Sequence, residues 1–270
     1  MTHATRLLAA GLLLLAAAPA LAQSGDALLR WDECAGKGGA NSTVFACDTN
    51  AGASTLVGSI IVPTGYATLL GYVTSIHAQV GFRESPPCDG PGPCRGPDMP
   101  SWWRLDAAGC RAGSLTGSND FALAPFTTGT GCVDPWSHRN SIGAPLAVTY
   151  PVEDSYWGTY LDRSIVDLGF DLVGGTMALT EGVEYYAFRL QLDHAAATGD
   201  GSCGGCCQPY VALMGTVKLH VDAPGGPGDI FVQPTSYPGY VSWNGITPAA
   251  ACGPTPARAR SWGYIKSLYR

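Results

Sequence analysis

The sequence contains little charge, and most of that charge is negative. Charged side chains make up 13% of the 270 residues, whereas a soluble domain usually has about 25%. Lysine and arginine number 15 against 21 acidic residues, which gives a formal net charge of −6. Nucleic acids and anionic membrane surfaces recruit proteins through basic patches. We therefore expect no nucleic-acid partner, although the C-terminal tail has basic residues at Arg258, Arg260, Lys266 and Arg270.

Long hydrophobic runs are absent after the first 22 residues. No later segment approaches the roughly 20 apolar residues that a membrane-spanning helix needs, so the sequence predicts no membrane span. At the N-terminus, Arg6 is followed by the apolar stretch Leu7–Ala18 and by Ala20-Leu21-Ala22. A basic start, a short apolar stretch and a small-residue cleavage site are typical of a secretory signal peptide. We predict that residues 1–22 form the signal peptide, cleaved after Ala22, and that the protein is secreted or periplasmic.

Familiar catalytic motifs are missing as well. The chain has neither Gly-x-Ser-x-Gly nor His-Glu-x-x-His, the local signatures of many serine and zinc hydrolases. Asp193-His194, at the end of a predicted strand, supplies two members of a catalytic triad, but spacing alone assigns them no nucleophile. Neighbouring carboxylates such as Glu181 and Glu184 have no spacing specific to glycoside hydrolysis. The sequence thus predicts no catalytic residue, and a non-enzyme is favoured over an enzyme.

Glycine and proline, by contrast, are abundant. There are 36 glycines and 20 prolines, together about a fifth of the chain against a usual ~12%, which favours short strands joined by tight turns. Alternation of apolar and polar residues predicts half-buried strands at Leu69–Phe82, Glu184–Asp193 and Tyr210–Asp222. His77 and Gln79 belong to the polar face of the first of these strands, as do Thr216 and Lys218 in the third. Weaker strand patterns lie at Ala27–Trp31, Thr55–Val62, Trp102–Leu105, Leu146–Tyr150, Tyr160–Leu172, Asp229–Val232 and Tyr240–Trp243.

These patterns together predict an all-β fold with hardly any helix. No repeat of fixed period and no low-complexity linker divides the chain. We predict a single domain over residues 23–270, an antiparallel β-sandwich of the immunoglobulin-like or jelly-roll-like type. Long loops, notably Gly81–Pro100 and Gly113–Asn140, contain several cysteines, so we expect disulfide bonds to hold them in place.

One segment resembles a known sandwich feature. Leu179-Thr-Glu-Gly182-Val-Glu-Tyr185 is similar to the Leu-x-x-Gly-x-x-Tyr tyrosine corner of immunoglobulin-like and fibronectin type III domains, in which the tyrosine hydroxyl bonds back to the backbone. The apolar alternation of the following strand falls on Tyr186 and Phe188, one residue out of phase with Tyr185. Two interpretations remain open, a β-bulge that reconciles the two patterns or an accidental resemblance.

The ten cysteines are an even number, which in an exported protein is typical of disulfides. Proximity in sequence predicts the bonds Cys34–Cys47, Cys88–Cys94, Cys110–Cys132 and Cys203–Cys206, and Cys207–Cys252 is then left as a distant pair. The cluster Cys203-Gly-Gly-Cys206-Cys207 also has two less favoured interpretations. A structural zinc site lacks a matching second ligand pair, and a redox centre lacks the helix start that usually follows such a motif. We therefore expect neither a metal nor a cofactor.

Tryptophans are the candidate ligand contacts. Trp102-Trp103 follows a proline-rich segment, Trp136 follows Asp-Pro, and Trp157 lies between two tyrosines. Consecutive residues of a strand point to opposite faces, so the sequence predicts that one ring of the Trp102-Trp103 pair is in the core while the other is exposed. Exposed aromatic rings stack on sugar rings. The alternative, that these tryptophans plug the ends of the sandwich, is the more favoured of the two.

Two stretches resemble a family of uncharacterised secreted proteins from bacterial and metagenomic genomes. They are Trp31-Asp-x-Cys34 with Phe45-Ala-Cys47-Asp-x-Asn50, and the ending Ser261-Trp-Gly-x-Ile-Lys-x-Leu-Tyr-Arg270. The resemblance covers most of the chain after the signal peptide, and Cys88 and Cys94 are additions peculiar to this sequence. It implies a bacterial, exported, disulfide-linked protein and transfers no active site.

The function that the sequence favours is an exported, non-catalytic β-sandwich with a binding or surface-structural role. The expected partner is a glycan or a cell-surface protein. One alternative is a secreted hydrolase directed at glycans or esters, which predicts a polar cleft beside Asp193-His194. A second is a carbohydrate-binding module, which predicts exposed aromatic rings. A third is assembly into a surface layer through the basic C-terminal tail.

Overall fold

The computed structural model of the chain describes residues 25–84, 98–123, 132–136, 141–143, 146–154, 158–222, 228–235 and 240–245. Within these ranges the structure is almost entirely β, as predicted, and its helical pieces are short 3-10 turns at Ala35–Lys37, Leu70–Tyr72, Ser101–Trp103 and Phe121–Leu123. No helix in the described residues is long and apolar enough to cross a membrane. The predicted signal peptide and the basic tail lie outside the described residues.

The strands, numbered in chain order, belong to two large sheets and one small hairpin. Their bounds are β1 Asp26–Trp31, β2 Ser42–Thr43, β3 Ala53–Ile61, β4 Val73–Glu84, β5 Leu115–Ser118, β6 Ser141–Gly143, β7 Ala147–Thr149, β8 Val152–Asp154, β9 Gly158–Tyr160, β10 Arg163–Leu172, β11 Glu184–Asp193, β12 Tyr210–Val221, β13 Asp229–Val232 and β14 Tyr240–Trp243. All three long predicted strands are confirmed, as β4, β11 and β12. The weaker pattern at Trp102–Leu105 is wrong, because that segment forms a 3-10 turn.

The two large sheets pack face to face around one apolar core. The smaller sheet has the strand order β1-β3-β11-β5, and the larger has the order β2-β14-β12-β4-β10-β6. In the larger sheet, β13 also pairs with β12 and β7 also pairs with β10. The pairings are antiparallel, apart from the short parallel contact of β2 with β14. A disulfide-linked, all-β sandwich is therefore the fold of this chain.

Alternation along the long strands explains why the sheets pack in this way. In β4 the residues Ile76, Ala78, Val80 and Phe82 are buried in the core, whereas His77 and Gln79 point outward. In β12, Val217 and Leu219 are buried and Lys218 is not. Because successive strand residues face opposite sides, each strand of the larger sheet contributes one apolar row to the core and one polar row to the outer face.

The segment that resembles a tyrosine corner forms the predicted contact. The Tyr185 hydroxyl accepts a hydrogen bond from the Thr180 backbone N–H at 2.8 Å, and Gly182 has a φ of +74°. The register of β11 against β3 shifts between Tyr186 and Phe188, so of the two interpretations the β-bulge is confirmed. The extra residue, Ala187, puts Tyr185 on the same face as Phe188 and Leu190, because their partners Ile60, Gly58 and Leu56 alternate along β3.

The disulfides correct three of the predicted pairings. The described residues contain the bonds Cys34–Cys132, Cys47–Cys206 and Cys110–Cys203, not Cys34–Cys47, Cys110–Cys132 or Cys203–Cys206. The bonded residues are 98, 159 and 93 positions apart. The predicted pair Cys88–Cys94 lies outside the described residues. Cys207 is disulfide-bonded, and its predicted partner Cys252 lies outside the described residues.

These pairings agree with hydrogen bonds that hold distant loops of the chain next to each other. The Glu184 carboxylate accepts the N–H groups of Ala35 and Gly36, at 2.9 and 2.8 Å. The same residue's carbonyl accepts the Val133 N–H at 3.0 Å. Cys34 and Cys132 are therefore held next to the same residue of β11, although they are far apart in the chain.

A similar arrangement positions the other two bonds. Asn50 and Thr198 exchange two hydrogen bonds of 3.0 Å between side chain and backbone, which joins the loop of Cys47 to that of Cys206. The Ser101 hydroxyl bonds both the N–H and the carbonyl of Gly204, which brings the segment of Cys110 close to Cys203. The cysteine cluster is thus a junction of cross-links to two different loops.

Candidate functional site

The candidate tryptophans do not form an exposed surface. Trp102, Trp103 and Trp136 are 0%, 1% and 5% exposed, so the prediction that one of them contacts a ligand is wrong. The 3-10 turn at Ser101–Trp103 is the cause, because residues of such a turn do not alternate between two faces as strand residues do. Trp157 lies outside the described residues.

The buried tryptophans instead fill one end of the sandwich. Trp103 stacks on Tyr210 with ring centroids 4.3 Å apart, and Trp102 lies 5.2 Å from Trp243. Trp136 lies elsewhere in the core, where its indole N–H donates to the Ala187 carbonyl at 3.1 Å. Aromatic rings at these distances stabilise each other beyond the area that they bury. Trp102 and Trp103 therefore fit the alternative interpretation, in which the tryptophans plug the ends of the sandwich, whereas Trp136 is buried elsewhere in the core.

The predicted pair Asp193-His194 acquires a hydroxyl partner that the sequence did not reveal. Nε2 of His194 lies 2.9 Å from Oγ of Ser54, and Nδ1 lies 3.2 Å from the Ala51 carbonyl oxygen. Because a carbonyl accepts only, Nδ1 carries the proton and Nε2 accepts from the Ser54 hydroxyl. Burial lowers the pKa of His194, which favours the neutral ring required by this arrangement. Ser54 is 140 residues from His194, and no spacing rule connects them.

This hydroxyl–imidazole pair is a structural contact. The imidazole stacks on Phe45 with ring centroids 3.8 Å apart and is 9% exposed. The Asp193 carboxylate bonds the Ala195 N–H at 2.8 Å, and a backbone carbonyl occupies the Nδ1 side of His194 where a triad has its acid. We interpret the pair as a half-buried hydroxyl and a buried imidazole that satisfy each other at the edge of the core.

The neighbouring acids Glu181 and Glu184 also have structural partners. Glu181 accepts the Tyr66 N–H at 2.6 Å, and Glu184 accepts two N–H groups and the Ser59 hydroxyl. One group of the described residues, Cys34, Cys132 and Glu184, has the spacing of metal ligands. Its two sulfurs are joined in a disulfide, so they offer no thiolate to a metal ion.

A different feature, an open groove on the outer face of the larger sheet, has the shape of a binding site. Its volume is 690 Å³. It is lined by His77, Ala78, Gln79, Ala147, Asp167, Leu168, Gly169, Thr216, Lys218, Phe231 and Gln233. These residues come from β7, β10, β4 and β12, from β13, and from the residue after β13. We call this feature the groove.

The strand register arranges the groove side chains in two parallel rows. In the first row, Gly169 pairs with His77, His77 with Lys218, and Lys218 with Phe231. Residues that pair across neighbouring strands share a face, so these four lie side by side across the sheet. Gly169 has no side chain, so the surface of the sheet is not raised at that end of the row. At the other end the Phe231 side chain is 59% exposed and stands above the sheet.

The second row lies two residues further along the strands. Asp167 pairs with both Gln79 and Ala147, and Gln233 follows Val232, which pairs with Val217. The register of β12 shifts between Met214 and Val217, and this bulge brings Gly215 against Gln79. A Cβ on Gly215 would lie 3.2 Å from the Gln79 carbonyl oxygen, so the glycine permits the close approach of the two strands.

The charges in and beside the groove are largely paired. The Gln79 amide donates to the Asp167 carboxylate at 2.8 Å. Lys218 Nζ lies 3.7 Å from the Asp229 carboxylate, which also accepts from His220 at 2.8 Å. The hydrogen bond with His220 is the main cause that lowers the pKa of Asp229. His77 faces Asp171 at 3.5 Å. The groove therefore offers polar contacts without a strong field of either sign.

Comparison of the chain with protein-family models, with curated proteins and with solved structures finds no match. The function is therefore argued from the groove and its side chains.

Proposed function

We propose that this protein is an exported, non-catalytic binding protein whose ligand is a carbohydrate chain that lies in the groove. The observation that carries the proposal is the combination of the exposed Phe231 ring with the amides of Gln79 and Gln233 on one sheet face. Sugar rings have apolar faces that stack on an aromatic ring. Their hydroxyls both donate and accept hydrogen bonds, which amide and carboxylate groups match.

The groove chemistry favours binding over hydrolysis. Glycoside hydrolysis uses two carboxyl groups on either side of the bond that is cleaved. Among the described residues that line the groove, Asp167 is the one carboxylate, and the Gln79 amide is bonded to it. A hydrolytic site at Ser54 and His194 is not proposed, because that imidazole is stacked in the core.

A protein partner fits the groove less well than a glycan does. The centre of a protein–protein interface is usually apolar, with charged residues depleted. The large exposed apolar side chain of the lining is Phe231, and the side chains that share its sheet face include Lys218, His77 and Asp167. A polyhydroxylated ligand can add hydrogen bonds to these polar groups, whereas an apolar protein surface would cover them without replacing their contact with water.

Export is part of the same proposal and has its own support. The first 22 residues have the pattern of a cleaved signal peptide, and the chain resembles secreted bacterial proteins. The three disulfides of the described residues fit an oxidising compartment such as the periplasm or the medium. Cell fractionation of a bacterial host that expresses the full chain tests this part, since a cytoplasmic, uncleaved product would contradict it.

A glycan array with the oxidised, signal-free protein tests the binding proposal. We expect at least one class of polysaccharide fragment to bind. The variants Phe231→Ala and Gln79→Ala should each lower the affinity about tenfold, the effect of losing one well-packed contact. Val44→Ala is the matched control, because Val44 is an exposed apolar residue outside the groove lining. Binding that is unchanged in both groove variants would refute the proposal.

A further inference from the structure

The groove is longer across the strands than along them. Five strands contribute to it in the order β7, β10, β4, β12 and β13, and at about 4.8 Å per strand gap they span ~19 Å. Along β4 the lining extends only from His77 to Gln79, which is about 7 Å. The groove is open to solvent, and its volume is 690 Å³. A trough of this outline fits a linear chain that lies flat and crosses the strands.

The charges of the groove exclude recognition by charge alone. An anionic polymer binds where cations lack counter-ions, and it releases its own counter-ions there. The single lysine of the lining is 3.7 Å from Asp229, and the lining includes the carboxylate of Asp167. A cationic ligand gains little here, because Asp167, the one carboxylate of the lining, already accepts the Gln79 amide. An uncharged ligand therefore loses the least solvation free energy when it enters the groove.

The two rows differ in the contacts that they offer. The first row ends in the exposed ring of Phe231, and the second has the amide and carboxylate groups of Gln79, Gln233 and Asp167. The rows are two residues apart along the strands, or about 7 Å. A chain in the trough therefore has an aromatic contact at the β13 end and hydrogen-bonding groups along one side.

We infer that the groove binds an uncharged, linear oligosaccharide of about three to four rings, which lies across the strands with one ring stacked on Phe231. This inference rests on the proposed function, and it adds the charge, the length and the orientation of the ligand. It also assigns Phe231 to one terminal subsite.

Isothermal titration calorimetry with two matched series of ligands tests the inference. The first series contains linear β-1,4-linked glucose or xylose oligosaccharides of one to six rings, and the second contains galacturonate oligosaccharides of the same lengths. We expect the neutral series to bind, with an affinity that rises up to about four rings and then stays constant, because the trough is ~19 Å long. Raising the salt concentration from 50 to 500 mM should change that affinity less than twofold, since no net charge is neutralised.

The variants separate a failure of the inference from a failure of the proposed function. Phe231→Ala should lower the affinity for four rings about tenfold, and the affinity for one or two rings by at least as much, because a short ligand gains most from the ring on which it stacks. Phe231→Trp should preserve binding, which shows that the fold and the stacking surface are intact. Groove-dependent binding of the galacturonate series, a strong salt dependence, or equal affinity for one ring and four would overturn the inference and leave the proposed function standing. Absence of binding to both series and to the array would overturn both.

Discussion

Arg111 gives the sharpest test of how this sandwich is held together, because its charge lies inside the core. The residue is 2% exposed. Its guanidinium lies 3.6 Å from the centre of the Trp102 ring and donates Nη1 to the Trp102 carbonyl at 3.1 Å. Nη2 donates to the carbonyl of Asp193. Arg111 therefore joins the loop next to Cys110 to the end of β11.

The size of its contribution follows from two opposing effects. Desolvation lowers the pKa of Arg111 from 12.5 to about 10, which corresponds to about 3 kcal/mol against the charged form. Two hydrogen bonds from a charged donor contribute about 1.5–3 kcal/mol each, and a desolvated cation–π contact contributes about 2 kcal/mol. The favourable contacts exceed the desolvation cost. Replacement by methionine removes that cost but takes the donor away from the buried Trp102 carbonyl and from the carbonyl of Asp193, an exposed residue. We therefore expect Arg111→Met to lose about 2 kcal/mol.

Urea unfolding of the oxidised protein at pH 7 measures this difference. The midpoint of Arg111→Met should fall while the slope stays constant, because the surface exposed on unfolding is unchanged. Arg30→Met is the control, since Arg30 is only partly buried and donates to the carbonyl of its neighbour Leu29 at 2.7 Å, a contact that contributes about 1 kcal/mol or less. If Arg111→Met unfolds at the same or a higher urea concentration, the buried charge is a net cost and the reasoning is refuted.

Three further predictions concern single contacts. Glu184→Gln should lower the free energy of unfolding by about 2 kcal/mol. The loss should exceed that of Glu181→Gln, because Glu184 accepts two backbone N–H groups and Glu181 accepts one. Equal losses of the two variants in urea unfolding would contradict this. Burial lowers the pKa of His194 below 6.5, so as the pH falls the imidazole is protonated in the unfolded chain before it is protonated in the folded protein. Stability therefore falls as the pH drops below about 6.5. His194→Gln should flatten that part of the curve of thermal midpoint against pH. A Cβ on Gly58 would lie 2.3 Å from the Phe188 ring, so Gly58→Ala should cost about 1–3 kcal/mol, and an unchanged thermal midpoint would show that the ring moves aside.

The strands were predictable because their signal is local. Alternation within β11 and β12 appears in any window of about ten residues. It assigned the buried and the outward residues of β11 correctly and those of β12 from Thr216 onward, but Met214, predicted on the polar face, is buried, because the register of β12 shifts between Met214 and Val217. At the tyrosine corner the two conflicting phases left a bulge as one of two interpretations, and the structure has that bulge between Tyr186 and Phe188. Which strands pair with each other, by contrast, is decided by contacts between residues that are far apart in the chain. β4 pairs with β10 and β12, and no short-range pattern specifies which distant strand becomes the neighbour.

The disulfides were mispredicted for the same reason. Proximity in sequence assumes that the loop between two cysteines is the shortest to close, and that cost rises only slowly with loop length. Specific contacts outweigh so small a difference. The Glu184 carboxylate and the Asn50–Thr198 pair hold distant loops together, and the cysteines on those loops are bonded to each other. The error over Trp102 and Trp103 has a related origin, because the two-face argument applies only to a strand.

The groove combines a predictable part with an unpredictable one. Alternation placed His77 and Gln79 on the polar face of one predicted strand and Lys218 on that of another, and in each strand these residues have the pattern of ordinary solvated surface. Only the register of β10, β4, β12 and β13 brings Gly169, His77, Lys218 and Phe231 into one row. A single-residue slip of any of these strands would turn its side chains to the core face. The groove therefore exists only because the buried rows fix the register, so the packing of the core also determines the binding surface on its reverse side.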